Sequence, residues 1–268
     1  MNKINLAEIL QARKYDRNKK PEKQHISFTI QGKCIAQLGS YCVISGLPKS
    51  SKSTYLASAI GSAYLPKFQD NWGIKFHLPE NRNKIGYFDT ESSEYDFYQQ
   101  IEKIRKFSLT NNLHPDIDCF NTREDSPELI RAIILEYLRN TPECSILCID
   151  GFLDLCFNYN DEVETRKLTN WFKKITKEFN IMLLGVLHLG KSGGNETLGH
   201  LGSNTDRWAN STLIVEKDKG TNQYVLKPKF LRSAGDFDPI AIANIEGQWY
   251  QQHYLPPDIN LPTKKQKK

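Results

Sequence analysis

The sequence predicts an α/β fold, with a mainly parallel sheet, helices on both of its faces and an antiparallel extension at its C-terminal edge. Three observations support this prediction. Short apolar segments typical of buried strands alternate with longer segments whose apolar residues recur at helical spacing. Four of the apolar segments end in polar residues, as parallel strands do beside a ligand. Three strand-like segments then follow one another closely, at residues 211–216, 223–230 and 239–246.

The composition indicates one main domain, which we place at residues 25–252. The chain has 268 residues, enough for one sizeable core, and 39% of them are hydrophobic against 25% charged. No apolar run approaches the roughly 20 residues of a membrane helix. The first residues lack the continuous apolar run of a signal peptide. We therefore expect a cytoplasmic protein with no membrane partner.

The two flanking segments are polar and basic. Residues 1–24 predict a short amphipathic helix, with Leu6, Ile9 and Leu10 on one side, followed by a basic linker. Residues 253–268 predict a basic disordered tail. The net charge of +5 is concentrated in these segments, which are usually solvated arms but can also contact nucleic-acid phosphates. The helix could pack on its own domain or on a neighbouring subunit.

The cysteines indicate free thiols. None of them forms a CxxC pair, and several lie in apolar strand-like runs. We therefore predict buried thiols in a reducing compartment, in preference to a zinc site or disulfides. The six cysteines are Cys34, Cys42, Cys119, Cys144, Cys148 and Cys156.

The first half of the chain alternates strand and helix patterns. Helical spacing places Leu56 and Ile60 on one face of a first helix, and Ile101 and Ile104 on one face of a second. The polar segment 67–84, which contains Gly and Pro, predicts a loop or hairpin excursion. The predicted strands of this half are residues 26–30, 34–38, 41–44, 85–89 and 118–121.

The second half continues the alternation. Ser126 and Pro127 are typical of a helix start, with serine as the N-cap and proline in the first turn. Residues 144–150 and 181–188 predict buried strands. Between them, residues 162–179 carry an apolar stripe at helical spacing and predict a helix.

The segment between the strand at 41–44 and the first long helix carries a phosphate-binding pattern. Backbone N–H groups of such a loop point at phosphates, and the dipole of the following helix favours their negative charge. Lys52 would reach the β- and γ-phosphates, and the Ser53 hydroxyl would ligate Mg²⁺. The alternative is an ordinary strand–turn–helix corner with a chance Lys-Ser pair. The candidate nucleotide-binding residues are Gly46, Leu47, Pro48, Lys49, Ser50, Ser51, Lys52, Ser53 and Thr54.

One position departs from the usual pattern, which has glycine directly before the lysine. Ser51 occupies that place. A Cβ is tolerable there only if the backbone does not require the conformational freedom of glycine. Where the backbone does require it, we expect weaker binding or slower turnover.

Polar residues follow three further strands. Asp150 would hold Mg²⁺ through water, Glu91 would orient or deprotonate an attacking water, and His188 would donate a hydrogen bond to the γ-phosphate. The alternatives are a loop or capping aspartate, a helix-start charge and a structural histidine. Because the carboxyl ends of parallel strands meet at one edge of a sheet, we expect these side chains to lie beside the 46–54 loop.

These motifs together resemble those of the RecA-like P-loop ATPases. In particular they resemble the hexameric replicative helicases of the DnaB and plasmid RepA type, and the compact RepA-like ATPases of plasmids and mobile elements. GLPKSSKS resembles the Walker A motif, and SILCID resembles Walker B. YFDTES resembles the motif of the family's catalytic carboxylate, here Glu91, and GVLHLGK resembles that of its γ-phosphate sensor, here His188. The resemblance implies that residues 25–252 form a RecA-like ATPase domain.

The resemblance also implies partners. It implies a Mg²⁺-dependent ATPase that forms a ring, a hexamer in this family, on single-stranded DNA and acts in replication or mobilisation of a plasmid or mobile element. KPKFLRSAG resembles the segment whose basic residues reach a neighbouring subunit's ATP, here Lys229 and Arg232. The alternative for both is a solvated basic edge strand.

DNA contacts are expected from the glycine-rich segment 189–202 and its surroundings. Lys191, His200 and Arg207 are the candidate residues, and the 157–160 loop would line the central channel with them. The alternative is a flexible surface loop.

Two other functions remain open from the sequence. One is a nucleotide-gated regulatory protein with slow or no hydrolysis, which Ser51 and the small size favour. The other is an ATPase that loads or remodels a protein partner through its N-terminal helix.

Overall fold

The computed structural model describes residues 6–190, 199–218 and 220–254, which form two sheets flanked by helices. The helices are α1 (Leu6–Arg13), α2 (Lys52–Ser62), α3 (Glu94–Phe107), α4 (Pro127–Asn140), α5 (Glu162–Glu178) and α6 (Gly199–Trp208), with a 3₁₀ helix at Phe152–Leu155. The strands are β1 (Ile26–Ile30), β2 (Lys33–Gln37), β3 (Tyr41–Gly46), β4 (Ile74–Phe76), β5 (Lys84–Asp89), β6 (Ile117–Asn121), β7 (Cys144–Asp150), β8 (Met182–His188), β9 (Ser211–Lys217), β10 (Tyr224–Leu231), β11 (Ile240–Ile245) and β12 (Gln248–Gln252).

The large sheet confirms the predicted α/β architecture. Its nine strands run in the order β12-β11-β10-β9-β3-β8-β7-β5-β6. Neighbours from β9 to β6 pair in parallel, whereas β9, β10, β11 and β12 pair with one another antiparallel. The antiparallel extension therefore lies at the C-terminal edge, as the sequence predicts, and β12 lengthens it by one strand that the sequence did not predict.

Helices cover both faces of this sheet because alternate residues of each parallel strand point to opposite sides. On one face, Cys42 and Ile44 of β3 belong to a core that includes apolar side chains of α2 and α3. On the other face, Tyr41 and Val43 belong to a core with side chains of α4 and α5. The near-continuous apolar strands of the sequence are thus strands that are buried on both sides.

A second, three-stranded antiparallel sheet corrects the prediction for residues 67–84. This segment contains β4, which pairs with β1 and completes the sheet order β2-β1-β4. The side chains of Ile74 and Phe76 are buried, and the Phe76 ring packs edge-on against Phe28 with centroids 5.1 Å apart. Three residues are too few to show a period, so the polar surroundings dominated the sequence pattern.

The remaining predictions are mostly met. Ser126 caps α4 by accepting a hydrogen bond from the Leu129 N–H, with Pro127 in the first turn. The six cysteines are free thiols; four of them are buried as predicted, whereas Cys34 and Cys119 are partly exposed. Within the described ranges no helix is long and apolar enough to cross a membrane. The predicted loop at 189–202 is partly wrong, since α6 begins at Gly199; residues 191–198 lie outside the described part of the chain.

The flanking segments agree with the prediction only where they are described. Helix α1 forms, but it buries none of its residues, and the side chains of Leu6 and Leu10 are 75% and 74% exposed. The predicted amphipathic face is therefore not packed against the domain. Residues 1–5, and 255–268 of the predicted tail, lie outside the described residues.

Arg82 ties together three segments at the end of the sheet opposite to the polar strand ends. Its guanidinium donates hydrogen bonds to the carbonyls of Pro142 (3.1 Å), Phe179 (2.9 Å), Asn180 (2.7 Å) and Cys144. Two of these carbonyls lie at the start of β7, at Pro142 and Cys144, and the other two directly follow α5. The contacts therefore fix where β7 begins relative to β5, and so they help to set the register between the two strands.

We expect Arg82→Ala to lower the free energy of unfolding by about 2 kcal/mol, because several carbonyls lose a charged donor at once. Urea denaturation measures the change. Arg139→Ala is the matched control: Arg139 lines a surface cavity together with Arg82, is 62% exposed in its side chain and forms a 3.9 Å ion pair with Glu136. Equal losses in the two variants would contradict the role assigned to Arg82.

Candidate functional site

The site begins where β3, in the middle of the large sheet, ends at Gly46. A Cβ built on Gly46 would lie 2.6 Å from both Ser50 Oγ and the Val215 carbonyl oxygen. These distances are shorter than any side chain tolerates, so only glycine lets the chain turn back here. The loop then leads into α2, whose first residue is Lys52.

The loop backbone forms a concave surface. Lys49 has φ +61° and Ser51 has φ +64°, so two left-handed residues alternate within three positions. Such alternation turns successive N–H groups towards one point and makes an anion-binding concavity. Ser51 is also the residue that precedes α2, with no side-chain cap. The backbone at Ser51 therefore does have the conformation that favours glycine. Serine in place of the usual glycine is thus sterically unfavourable at this position.

Ser50 supplies an independent observation at the same place. The residue is 2% exposed and lines the cavity in front of α2. Within the described part of the chain its hydroxyl oxygen is buried and has no hydrogen-bond partner. A buried hydroxyl without a partner is unfavourable, and an anion held by the N-terminus of α2 would supply the missing acceptor.

Lys52 extends across this cavity. Its Nζ donates hydrogen bonds to the carbonyls of Gly46 (3.1 Å) and Leu47 (2.9 Å) and lies 3.2 Å from His188 Nδ1. Burial lowers the pKa of Lys52 to about 8, against the opposing effect of the nearby Asp150 and Glu91 carboxylates. A partly desolvated ammonium group has much to gain from an anionic ligand.

Glu91 and His188 meet beside Lys52, as the strand-end prediction requires. The register sets Gly46 of β3 opposite His188 of β8, and Asp89 of β5 opposite Asp150 of β7. Glu91 Oε1 lies 3.1 Å from His188 Nε2. His188 therefore connects the ammonium group of Lys52 to the carboxylate of Glu91 through its two ring nitrogens.

Asp150 lies beneath these groups and is 6% exposed. Burial raises its pKa to about 7; a hydrogen bond from Ser53 opposes the rise, whereas the carboxylates of Asp89 and Glu91 add to it. Hydroxyl and carboxylate oxygens are the ligands that Mg²⁺ prefers. Among the described residues no group of three or more His, Cys, Asp or Glu side chains is placed to hold a metal. Ser53 and Asp150 thus fit a cation that takes its other ligands from phosphate and water.

Asp89 and Thr90 position the turn that carries Glu91, and the sequence prediction missed both roles. Asp89 Oδ1 accepts hydrogen bonds from the N–H groups of Glu91 (3.0 Å) and Ser92 (2.8 Å). The Thr90 hydroxyl donates to Asp154 Oδ2 at 2.7 Å, just after β7. Ser93, rather than Glu91, caps α3. Glu91 is therefore left facing the cavity and not the helix terminus.

The cavity itself has a volume of about 380 Å³, within the range of small-molecule sites. Three of its residues were not predicted as site residues: Lys103 of α3, Val186 of β8 and Trp249 of β12. A single lysine among several on a helix gives no signal in the sequence, and β12 itself was not predicted. The cavity is lined by residues 49–54 together with Glu91, Lys103, Asp150, Val186, His188 and Trp249.

Lys229 and Arg232 lie outside this cavity and hold α6 instead. Lys229 Nζ forms a 2.7 Å ion pair with Asp206. Arg232 donates hydrogen bonds to the carbonyls of Ala209 (2.9 Å) and Arg207. Both basic side chains therefore already have partners at the C-terminal end of α6, and neither is a simply solvated edge residue.

The predicted nucleic-acid contacts are only partly described. His200 and Arg207 lie on α6, and both are exposed. Lys191 lies outside the described residues.

Leu47, at the tip of the 46–54 loop, is 49% exposed, so the loop presents its outer edge to solvent while residues 49–54 face the cavity.

Fold and site together define an α/β protein with a concave, cationic site at the carboxyl edge of a parallel sheet. No protein-family model matches the chain. A comparison with curated proteins likewise finds no match. The chemistry of the site therefore rests on its own geometry: a helix N-terminus, a buried ammonium group, two oxygen donors suited to a hard cation, and a carboxylate beside a histidine.

We expect Ser51→Gly to raise the free energy of unfolding by roughly 1 kcal/mol, because glycine adopts the left-handed conformation without steric cost. Ser51→Ala is the control, since alanine keeps the Cβ and removes only the hydroxyl. Urea denaturation of the three proteins measures the difference. A loss of stability in the glycine variant, or an equal gain in the alanine variant, would show that the Ser51 backbone is not strained.

Proposed function

We propose that this protein is a Mg²⁺-dependent ATPase of the RecA-like P-loop type. The observation that supports the proposal most is the arrangement around Lys52: a glycine-turned loop, a helix N-terminus, and the side chains of Glu91, Asp150 and His188 from three neighbouring strand ends. An ordinary strand–turn–helix corner needs none of these polar groups to be gathered at one edge.

In this proposal, residues 49–54 bind the phosphates. Their backbone N–H groups and the N-terminus of α2 would surround the phosphates, with Ser50 donating the hydrogen bond that its buried hydroxyl lacks among the described residues. Lys52 would exchange its contacts with the Gly46 and Leu47 carbonyls for the β- and γ-phosphates. The exchange is favourable because the partners change from neutral to anionic oxygens.

The metal would be held by Ser53 and, through water, by Asp150, whose pKa burial raises and the neighbouring Ser53 hydroxyl lowers. Bound Mg²⁺ neutralises phosphate charge. It would also remove the cost of ionising Asp150, since a nearby cation favours the carboxylate form.

Hydrolysis would require a group that activates water, and Glu91 would take this role. Its carboxylate is 41% exposed and borders the cavity beside His188. A base must lie within hydrogen-bond reach of the water that it deprotonates. His188 touches both Lys52 and Glu91, so it would respond to the phosphate that Lys52 binds and transmit its loss towards the chain after β8.

Assembly and DNA binding extend the proposal. We infer a cytoplasmic homo-oligomeric ring, a hexamer by the resemblance, that acts as a motor or helicase on single-stranded DNA for a plasmid or other mobile element, together with replication or mobilisation proteins. In support, α6, which carries His200 and Arg207, contacts the 157–160 loop through a 3.1 Å hydrogen bond from the Leu201 N–H to the Tyr159 carbonyl. The segments expected to face DNA thus adjoin each other.

The first test is ATP hydrolysis with and without single-stranded DNA. Lys52→Ala and Glu91→Gln should each lower turnover about 100-fold or more, since each removes a group that acts on the transition state. Glu91→Gln should still bind ATP. Lys67→Ala, at an exposed lysine away from the cavity, is the control. Turnover that survives in Glu91→Gln would remove Glu91 from the role of base.

Arg232 would act on the ATP of a neighbouring subunit, which a mixing experiment tests. Arg232→Ala and Lys52→Ala should each be inactive alone, yet a mixture should regain activity, because some interfaces then combine an intact loop with an intact arginine. ATP turnover across mixing ratios measures this. Thermal melting of Arg232→Ala controls for the loss of its contacts with α6. A folded variant that no ratio rescues would contradict action in trans.

The second candidate function is a nucleotide-gated regulatory protein with slow or no hydrolysis. The left-handed Ser51 favours it, because strain in the loop can hold the site away from the geometry of turnover. Tight ATP binding with negligible turnover in either condition would support this function over the motor.

A further inference from the structure

A second cavity adjoins the one in front of α2. It has a volume of about 490 Å³ and lies between α3 and the β11–β12 hairpin. Lys103 and Trp249 line both cavities. The two cavities therefore share these side chains as a common border, and an elongated ligand that passes beside them would reach both.

The second cavity differs in chemistry from the first. Its walls include the rings of Trp72, Phe107 and Trp249 and the side-chain amides of Gln99 and Gln248. Aromatic walls with a few amides suit a flat, polar-edged ring, since the ring can stack and its edge can form hydrogen bonds. A bare phosphate chain has no ring that could stack on these aromatic side chains.

The aromatic wall is held in place by its neighbours. The Trp72 ring packs edge-on against Phe107, with centroids 5.0 Å apart, and against Tyr55. Trp249 packs edge-on against Tyr224, with centroids 5.7 Å apart. Because these contacts fix the rings before any ligand arrives, little side-chain freedom is lost on binding.

The charges at the junction also suit one ligand. Lys103 Nζ donates a hydrogen bond to Gln100 Oε1 at 3.3 Å. The side-chain amide of Gln100 in turn donates to the Ser53 carbonyl at the start of α2. Among the described residues, Glu102 is the one acidic side chain that lines the second cavity, and it pairs with Arg105 at 2.8 Å. A cation therefore stands where the aromatic cavity meets the phosphate-binding one.

We propose that the second cavity receives the base and ribose of the same nucleotide whose phosphates bind in front of α2, with Trp249 stacking on the base. This inference rests on the proposed function and names the part of the ligand that the loop does not contact. It assigns Trp249 as a binding residue and makes the β11–β12 hairpin part of the nucleotide site. The ligand class is a nucleoside triphosphate, and inorganic polyphosphate would fill only the first cavity.

The test compares two probes, MgATP and magnesium tripolyphosphate, by isothermal titration calorimetry. The wild-type chain should bind ATP more tightly than tripolyphosphate. Trp249→Ala should weaken ATP binding by about 10-fold or more, the usual effect of removing a stacked aromatic side chain. It should leave tripolyphosphate binding unchanged. Trp249→Phe, which keeps an aromatic ring, should restore most of the ATP affinity.

Trp208→Ala is the matched control, because Trp208 is half exposed on α6 and lines neither cavity. Equal weakening of both probes by Trp249→Ala, with no rescue by phenylalanine, would overturn the assignment of Trp249. Equal affinity of the wild-type chain for the two probes would overturn the nucleoside cavity and leave the phosphate site standing. Binding of neither probe would overturn the proposed function, and this inference with it.

Discussion

The parallel pairing of β3 with β8 is the interaction on which the site depends. Its register places Gly46 and His188 side by side, and the pairing of β5 with β7 does the same for Asp89 and Asp150. Each of these strands is held by apolar side chains on both faces, so none can slide without exposing part of a core. The polar strand ends therefore cannot separate while the sheet remains intact.

Much of this arrangement could be predicted from the sequence because it depends on the composition of short, continuous segments. The buried strands are continuous apolar runs, and two of them, β7 and β8, end in residues that line the cavity, Asp150 and His188. Gly46 and Lys52 bracket a loop whose composition is itself informative. Where the site lies at strand ends, the local sequence is enough to predict its residues, because a parallel sheet brings the carboxyl ends of its strands to one edge.

The parts that could not be predicted depend on contacts between distant residues. Strand β4 is defined by its pairing with β1, and β12 by its pairing with β11, rather than by any period of their own. Trp249 reaches the site only through that last pairing. The left-handed backbone of Ser51 could be suspected from the missing glycine, but only the loop geometry fixes it.

The contacts of Arg232 have a consequence for assembly. Its hydrogen bonds close the last turn of α6, where backbone carbonyls would otherwise lack donors. If Arg232 acts on another subunit as proposed, it would have to leave these carbonyls and uncap the helix, so ring formation and the stability of α6 would compete for one guanidinium group. Since α6 also carries His200 and Arg207, the proposed assembly would then change the surface that these two side chains present, independently of the nucleotide site.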